Sequence, residues 1–126
     1  MRYLLDSALL IDHGHRDAAA TKLLRRLVEQ GHDLFTCDVV TCEALSRGDE
    51  TNLRHMAALL DALEYVSTTS AAARSAGAAR RERNASGGKR ALGDALITAI
   101  AADLGAIVVT RNRRDFERSG IQILGY

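Results

Sequence analysis

Residues 92–116 limit the possible folds of this chain more than any other stretch. Their apolar side chains first recur at steps of three and four, which predicts a helix that opens at Gly93-Asp94 and ends at Gly105. An unbroken apolar run follows at residues 106–109, and its β-branched residues are typical of a strand covered on both faces. A helix that leads directly into such a strand predicts an α/β fold with a parallel sheet.

The rest of the chain alternates in the same way between short apolar runs and amphipathic segments. Asp38 and Thr51 are predicted to cap the third and fourth helices, and Glu43 to lie in the early turns of the third. The pattern predicts further strands at residues 2–5, 34–36, 65–67 and 121–124, and helices at residues 8–11, 18–30, 39–45, 51–63 and 70–86. We therefore predict an α/β fold with a single domain over residues 1–126, in which helices flank a central, mainly parallel sheet of four or five strands.

Composition and charge narrow the class of protein. The 126 residues are 47% hydrophobic and 26% charged, as in an ordinary globular domain. No apolar run approaches the ~20 residues of a membrane span, and Asp6 interrupts the apolar start, so we expect no signal peptide and a cytoplasmic location. Residues 1–73 hold 7 basic and 11 acidic residues, whereas residues 74–126 hold 10 and 5. This asymmetry suggests a polyanion on the C-terminal half, although solvated helix faces explain it as well.

Four acidic residues stand where strands end or helices begin: Asp6, Glu43, Asp94 and Asp115. Each has a plain structural explanation, because Asp caps helices and Glu favours helix N-termini. In a parallel sheet, however, ligands bind beyond the carboxyl ends of the strands. Two carboxylates ~4 Å apart repel by about 4 kcal/mol at an effective dielectric of about 20, so a cluster persists only with protons or a cation among its members. Oxygen ligands alone favour Mg²⁺ or Mn²⁺ over Zn²⁺.

Four blocks of the sequence carry a resemblance to a known family. They are YLLDSALLID, DVVTCEAL, LGDALITAIAADLGA and VVTRNRRDF, in this order. Together they resemble the signature blocks of PIN-domain proteins, and most of all those of the VapC toxins of bacterial VapBC toxin–antitoxin systems. The resemblance covers nearly the whole chain, and four blocks in this order, ending in Thr-Arg-Asn-x-x-Asp-Phe, are quite specific.

The resemblance implies a single PIN-like domain and a Mg²⁺-dependent endoribonuclease, for which Mn²⁺ is a substitute ion. The metal-binding carboxylates would be Asp6, Glu43 and Asp94. Many relatives carry an aspartate at the position of Asn112, which offers a carbonyl oxygen but no charge. We therefore expect Asp115 to supply the remaining negative charge.

The resemblance also places orienting residues around these acids. Ser7 occupies the usual Ser/Thr position beside the first aspartate, and Asn112 and Thr110 would orient the carboxylate of Asp115. With a metal-activated water as nucleophile, the expected reaction is in-line hydrolysis that leaves a 5′-phosphate and a 3′-hydroxyl.

The basic residues of the C-terminal half are candidates for holding the RNA backbone. Aromatic side chains are scarce, so RNA shape is expected to decide selectivity, and structured RNA (tRNA or rRNA) is the expected substrate. The candidates are Arg80, Arg81, Arg83, Lys89, Arg90, Arg111, Arg113 and Arg114.

The expected partners are a VapB-like antitoxin, the RNA substrate and a second copy of the chain in a homodimer. By the resemblance, the antitoxin would lie along a groove and cover the acidic site. The apolar helices at residues 18–30 and 51–63 are candidates for this groove, although a plain core explains their stripes as well.

Two other functions stay open from the residues alone. The first is a catalytically inactive α/β module whose acids cap helices and whose arginines bind nucleic acid. The second is a small-molecule phosphohydrolase that uses the same acids. Substitution of Asp94 by Asn separates the inactive module from a nuclease, because Asn caps a helix about as well as Asp.

Overall fold

A computed structural model describes residues 1–117 and 119–126. Within them, five strands form one sheet: β1 (Arg2–Leu5), β2 (Asp33–Cys37), β3 (Glu64–Val66), β4 (Ile107–Val109) and β5 (Ile123–Leu124). Their spatial order is β3-β2-β1-β4-β5, and every neighbouring pair is parallel. The predicted α/β fold is confirmed, and the sheet is fully parallel.

Six α-helices and one 3₁₀ turn connect these strands within the described residues. The helices are α1 (Ser7–Gly14), α2 (Ala18–Glu29), α3 (Asp38–Ala44), α4 (Glu50–Asp61), α5 (Ser70–Ala85) and α6 (Leu92–Leu104), and the 3₁₀ turn is Arg113–Asp115. As predicted, α6 ends at a glycine, since Gly105 adopts the left-handed conformation with φ of 63°. None of the described helices is both long and apolar enough to cross a membrane.

Two of the predicted helix caps are wrong. Asp49 rather than Thr51 caps α4, because its side chain accepts a backbone N–H of the first turn at 2.8 Å. Asp38 is the first residue of α3, and Cys37 takes the cap position. Because α3 has only 7 residues, Glu43 lies in its last turn and not in its early turns.

Asp38 fixes the start of α3 to the segment that follows β3. Its carboxylate accepts hydrogen bonds from the hydroxyl of Thr68 at 2.8 Å, from the N–H of Thr68 at 3.1 Å and from the N–H of Val39 at 3.0 Å. Desolvation acts to raise the pKa of Asp38, but these donors hold it below its ordinary value. The short helix that carries Glu43 is therefore anchored at its first residue.

The core lies along the two central strands and α6. Leu4, Leu5, Val108 and Val109 are fully buried, as expected for strands covered on both faces. Burying one such side chain contributes about 1.5–3 kcal/mol. On α6 the buried residues recur at helical spacing and include Ile97, Ile100 and Ala101.

The two helices predicted to supply a groove differ in burial. In α2 the apolar stripe packs into the core, with Ala20, Leu23, Leu24 and Leu27 all buried. In α4 only Leu60 is buried, and Met56 and Leu59 are half-buried. The structure therefore leaves an apolar face open on α4 and closes the one on α2.

Candidate functional site

The carboxyl edge of the central strands carries a buried carboxylate, that of Asp6, which is 4% exposed. Leu5 pairs with Val109 in the ladder between β1 and β4, so the residues that follow them lie side by side. Thr110 Oγ1 donates a hydrogen bond to Asp6 Oδ2 at 2.7 Å. Burial raises the pKa of Asp6, although hydrogen bonds from Thr110 and Ser7 act against that shift.

Ser7 joins Asp6 to Glu43. Its N–H donates to Asp6 Oδ1 at 2.8 Å, so Asp6 also caps α1, and its hydroxyl donates to Glu43 Oε1 at 3.3 Å. The other oxygen of Glu43 faces Gly93, where an added Cβ would lie 3.1 Å from Oε2. Partial burial, and then the charge of Asp6, raise the pKa of Glu43. The start of α6 is thus shaped by a glycine that leaves room for this carboxylate.

Asp94 lies in the first turn of α6, as predicted. Because α6 leads into β4, it begins at the carboxyl edge of the sheet and runs back along it. Burial, followed by the charges of Asp115, Asp6 and Glu43, raises the pKa of Asp94 to about 6, and the cation of Arg90 opposes this shift. The structure therefore brings the four predicted carboxylates within electrostatic reach of one another.

Asn112 and Asp115 follow β4 on the loop that closes this edge. The N–H of Asn112 donates to Thr110 Oγ1 at 2.9 Å, so Thr110 accepts from Asn112 while it donates to Asp6. Asp115 ends the 3₁₀ turn and is exposed, whereas Phe116 beside it is fully buried. Phe116 therefore anchors the turn and is not available to stack on a base.

The donor set fits a hydrated hard cation better than a closed cage. No group of three or more Asp, Glu, His or Cys side chains within residues 1–117 and 119–126 is arranged to hold a metal ion by itself. Mg²⁺, however, keeps several waters and binds through one or two carboxylates plus phosphate oxygens. The charges of Asp115, Asp6 and Glu43 raise the pKa of Asp94, and a cation among these carboxylates would relieve that repulsion.

Arg111, a predicted RNA-binding residue, is held by an acid that the sequence did not single out. Arg111 Nη1 lies 2.8 Å from Asp12 Oδ1 in a salt bridge. Tyr126 OH donates to the other oxygen of Asp12 at 2.7 Å. Desolvation and this hydrogen bond raise the pKa of Tyr126. Asp12 therefore ties the loop after β4 and the last residue of the chain to α1.

The remaining predicted RNA-binding residues fall into two groups. Arg80 donates from Nε to the carbonyl of Arg90 at 3.1 Å, Arg113 packs against Gly125, and Arg81 is exposed on α5. The second group lines a hollow of about 280 Å³ beside the acids and consists of Arg83, Lys89, Arg90 and Arg114. Asp94 and Asp115 line the same hollow.

A larger groove of about 850 Å³ reaches the acids from the other side. Glu43 and Asn112 line its polar end, and the half-buried Met56 and Leu59 form part of its apolar wall. The groove is lined by α1 and α4, and no residue of α2 contributes to it. Of the two candidate helices only α4 therefore lines the groove, whereas α2 turns its apolar stripe into the core, as the plain-core alternative expected.

Sequence reasoning missed Asp12, Tyr126, Gly93 and Thr98. Thr98 lies four residues after Asp94, accepts from Arg90 Nη2 at 2.6 Å and donates to the carbonyl of Asp94 at 2.8 Å. The spacing of four residues is a usable local signal for that bond. No local signal pointed to Asp12, because its partners Arg111 and Tyr126 lie 99 and 114 residues away in the sequence.

Comparisons with known proteins agree on one family. A family model described as "PIN domain" matches residues 3–121. Ribonuclease VapC19 of Mycobacterium tuberculosis is 32% identical over 114 residues, which cover 90% of each chain.

Two solved structures share the fold. VapBC2 of Rickettsia felis, bound to a DNA fragment from its promoter, has a TM-score of 0.85 at 20% identity over 100% of this chain and 99% of its own. VapC20 of M. tuberculosis, a Sarcin-Ricin loop cleaving toxin, has a TM-score of 0.74 at 15% identity over 94% and 95%.

Proposed function

The chain belongs to the PIN domain family, and from this premise we propose that it is a metal-dependent endoribonuclease that acts as the toxin of a toxin–antitoxin pair. The observation that carries the proposal is the edge of four carboxylates, where the charges of Asp115, Asp6 and Glu43 act on Asp94. Similarity to a ribonuclease over 90% of both chains supports the same activity. In a module that only binds nucleic acid, these carboxylates would repel one another and the polyanion without any benefit to binding.

The proposed ion is Mg²⁺, with Mn²⁺ as its substitute. The residues that would hold it are Asp6, Glu43, Asp94 and Asp115, and only some of these carboxylates would bind the ion at any one time. When bound, the ion polarises the scissile phosphate and lowers the pKa of an attacking water. Exclusively oxygen donors and the absence of histidine or cysteine from this set favour such a hard ion over zinc.

The polar residues of the edge hold the acids in place. Thr110 donates to Asp6 and accepts from the loop that carries Asp115, so it couples the positions of these two carboxylates. Ser7 couples Asp6 to Glu43 by donating hydrogen bonds to both carboxylates. Groups fixed in this way are preorganised for the geometry that the reaction requires.

The proposed substrate is structured RNA, either tRNA or rRNA. Cations gather beside the acids, and phosphate contacts position a nucleic acid without reading its bases. Phe116 is buried, so shape and an exposed loop would supply the selectivity that stacking does not. The fold is compatible with such a target, since VapC20 shares it.

Incubation of the purified protein with total bacterial RNA tests this proposal. We expect cleavage at a small number of sites in millimolar Mg²⁺ or Mn²⁺ and none in EDTA, with ends mapped by sequencing as 5′-phosphates and 3′-hydroxyls. Intact RNA with both ions, or 2′,3′-cyclic phosphate ends, would contradict it. Turnover of a generic phosphomonoester without RNA cleavage would favour the small-molecule phosphohydrolase.

We also propose that the groove between α1 and α4 receives the antitoxin. Met56 and Leu59 form part of its apolar wall, and Glu43 also lines it, so a segment bound there would cover the acids. Amphipathic segments bind in this manner to apolar grooves. A homodimer is proposed as well, because the resemblance to VapC toxins implies one. Light scattering tests the dimer, and a monomeric mass would contradict it.

Substitution of Met56 by Glu tests the groove. The new charge would sit on the apolar wall, so the variant should escape silencing when co-expressed with the products of the reading frames on either side of its own. Its RNA cleavage should persist in vitro. Ala58→Glu, on the exposed face of the same helix, is the matched control and should remain silenced. Silencing of both variants alike would contradict this location of the antitoxin.

A further inference from the structure

We propose that the hollow between the α5–α6 loop and the 3₁₀ turn is a built subsite for a backbone phosphate of the RNA, next to the one that is cleaved. This inference rests on the proposed function, whose acids it adjoins. Four cations, Arg83, Lys89, Arg90 and Arg114, line a space of about 280 Å³ together with Asp94 and Asp115. Cations outnumber carboxylates there by two, so the hollow attracts an anion although two acids form one of its walls.

Arg90 is fixed in position before any ligand arrives. Its Nη2 donates to Thr98 Oγ1 at 2.6 Å, and its carbonyl accepts from Arg80 Nε at 3.1 Å. Its Nε is buried and has no hydrogen-bond partner in the part of the chain that the structure describes. A buried donor without a partner is unfavourable, so the hydrogen bonds with Thr98 and Arg80 hold Arg90 in this position against that cost.

Gly88 leaves room for the side chain of Arg83 beside the hollow. A Cβ added at Gly88 would lie 2.6 Å from Arg83 Nε and 3.0 Å from its Cδ, so the side chain passes directly over the loop. Any larger residue at position 88 would displace Arg83. The side chain of Arg83 therefore lies directly against the loop at Gly88.

The start of α6 adds uncapped backbone donors to the same wall. Ala91, which lines the hollow, takes the cap position and offers no side-chain hydrogen bond to the first turn. The free N–H groups of a helix start favour a phosphate oxygen. The four cations and this helix start therefore all favour one anion in the hollow.

A phosphodiester fits this hollow better than an acidic peptide. The hollow shares Asp94 and Asp115 with the proposed metal site, so an RNA strand cleaved there places its neighbouring phosphate within reach. The apolar groove proposed for the antitoxin approaches Glu43 and Asn112 from the side of α1 and α4 and shares no lining residue with the hollow.

Binding of a short fluorescent RNA in EDTA tests the subsite without any hydrolysis. Lys89→Ala/Arg114→Ala should bind about tenfold more weakly, and the magnitude of the slope of log K against log salt should fall by about 0.7, the contribution of the one phosphate that the variant no longer neutralises. Lys22→Ala/Arg25→Ala is the matched control, since it removes two exposed cations from another hollow, and its affinity should stay within about twofold. Equal losses in both variants, or none in the first, would overturn the subsite.

Gly88→Ala separates a built site from diffuse charge attraction, because it keeps the net charge. It should weaken RNA binding by roughly threefold or more by displacing Arg83, and wild-type affinity in a folded variant would overturn the fitted geometry. If Lys89→Ala/Arg114→Ala kept its RNA affinity but escaped antitoxin silencing, the hollow would bind an acidic peptide and the proposal would be wrong. A wild type that binds RNA with the expected salt slope but never cleaves it would refute the nuclease and leave the subsite intact.

Discussion

Asp94→Asn is expected to lower kcat/KM for RNA cleavage by at least about a thousandfold. Asn keeps the shape of the side chain but loses the charge that would hold a cation. The fold should be unaffected, since Asn is tolerated in a first helical turn and its neutrality relieves the repulsion from Asp115, Asp6 and Glu43. RNA binding in EDTA should stay the same or become tighter, because one negative charge leaves the surface that faces the polyanion. Single-turnover cleavage and anisotropy binding measure the two effects separately.

The matched control is Asp103→Asn. Asp103 is exposed near the end of the same helix, so the change makes the same chemical substitution away from the acids. It should cleave RNA at the wild-type rate. Wild-type cleavage by Asp94→Asn would contradict the proposed role of Asp94, and a wild type that binds but does not cleave would favour the inactive binding module.

The second large effect concerns stability in the absence of divalent ions. The folded-state pKa of Asp94 is about 6, against an ordinary value of 3.8 for this side chain. A carboxyl group with a raised folded-state pKa is protonated in the folded state while it is already ionised in the unfolded state. The folded state therefore binds more protons between these two pKa values, and its free energy of unfolding falls as pH rises from about 4 to about 6. Asp6 and Glu43 shift in the same direction and add to the effect.

In EDTA we expect the melting temperature to be lower at pH 7.5 than at pH 5 by roughly 3–8 °C. This corresponds to about 1–2 kcal/mol, because solvent screens a half-exposed carboxylate. Millimolar Mg²⁺ at pH 7.5 should reverse the loss by binding to the folded state alone, which contributes about 2.7 kcal/mol at a hundredfold excess over Kd. Differential scanning calorimetry in the two buffers measures both shifts.

Asp6→Asn checks the physical cause of this instability. Without divalent ions the variant should melt at a higher temperature than the wild type at pH 7.5, since it removes a buried charge from the cluster. Mg²⁺ should then stabilise it less than the wild type. Asp103→Asn again serves as the control and should follow the wild type in both buffers. A wild-type melting temperature that no divalent-ion concentration changes would count against the metal site.

The fold could be predicted wherever the pattern was local. The spacing of apolar residues and the terminal glycine indicated α6, and the β-branched run indicated β4. Both signals depend only on residues that are close together in the sequence. The failures occurred at helix starts, where Asp49 and Thr51 are both of a type that caps helices. Glu43 was misplaced within α3 because nothing in the sequence fixes the length of a seven-residue helix, which tertiary contacts such as that of Asp38 decide.

For the candidate site, the positions of the acids could be predicted from the sequence, but the hydrogen-bond partners of the arginines could not. Parallel strands bring the residues after their carboxyl ends to one edge, so the place of Asp6 followed from topology. Asp94 joins it because α6 begins at that edge, which the sequence required but did not show. The partners of the arginines did not, since they depend on side-chain contacts across the whole chain. Arg111 binds Asp12, and Arg90 is braced by Thr98, and neither pairing is visible from charge.

The pairing of β1 with β4 joins residues at opposite ends of the sequence, and the bond from Thr110 to Asp6 spans 104 positions. On the ribosome, β1 therefore cannot pair with β4 until the segment that contains Ile107 has been synthesised. Synthesis of the chain thus precedes assembly of its acidic edge, because a nascent fragment that stops before β4 lacks the second wall of that edge. This sequence separation also raises the contact order, which slows folding and extends the interval between translation and activity.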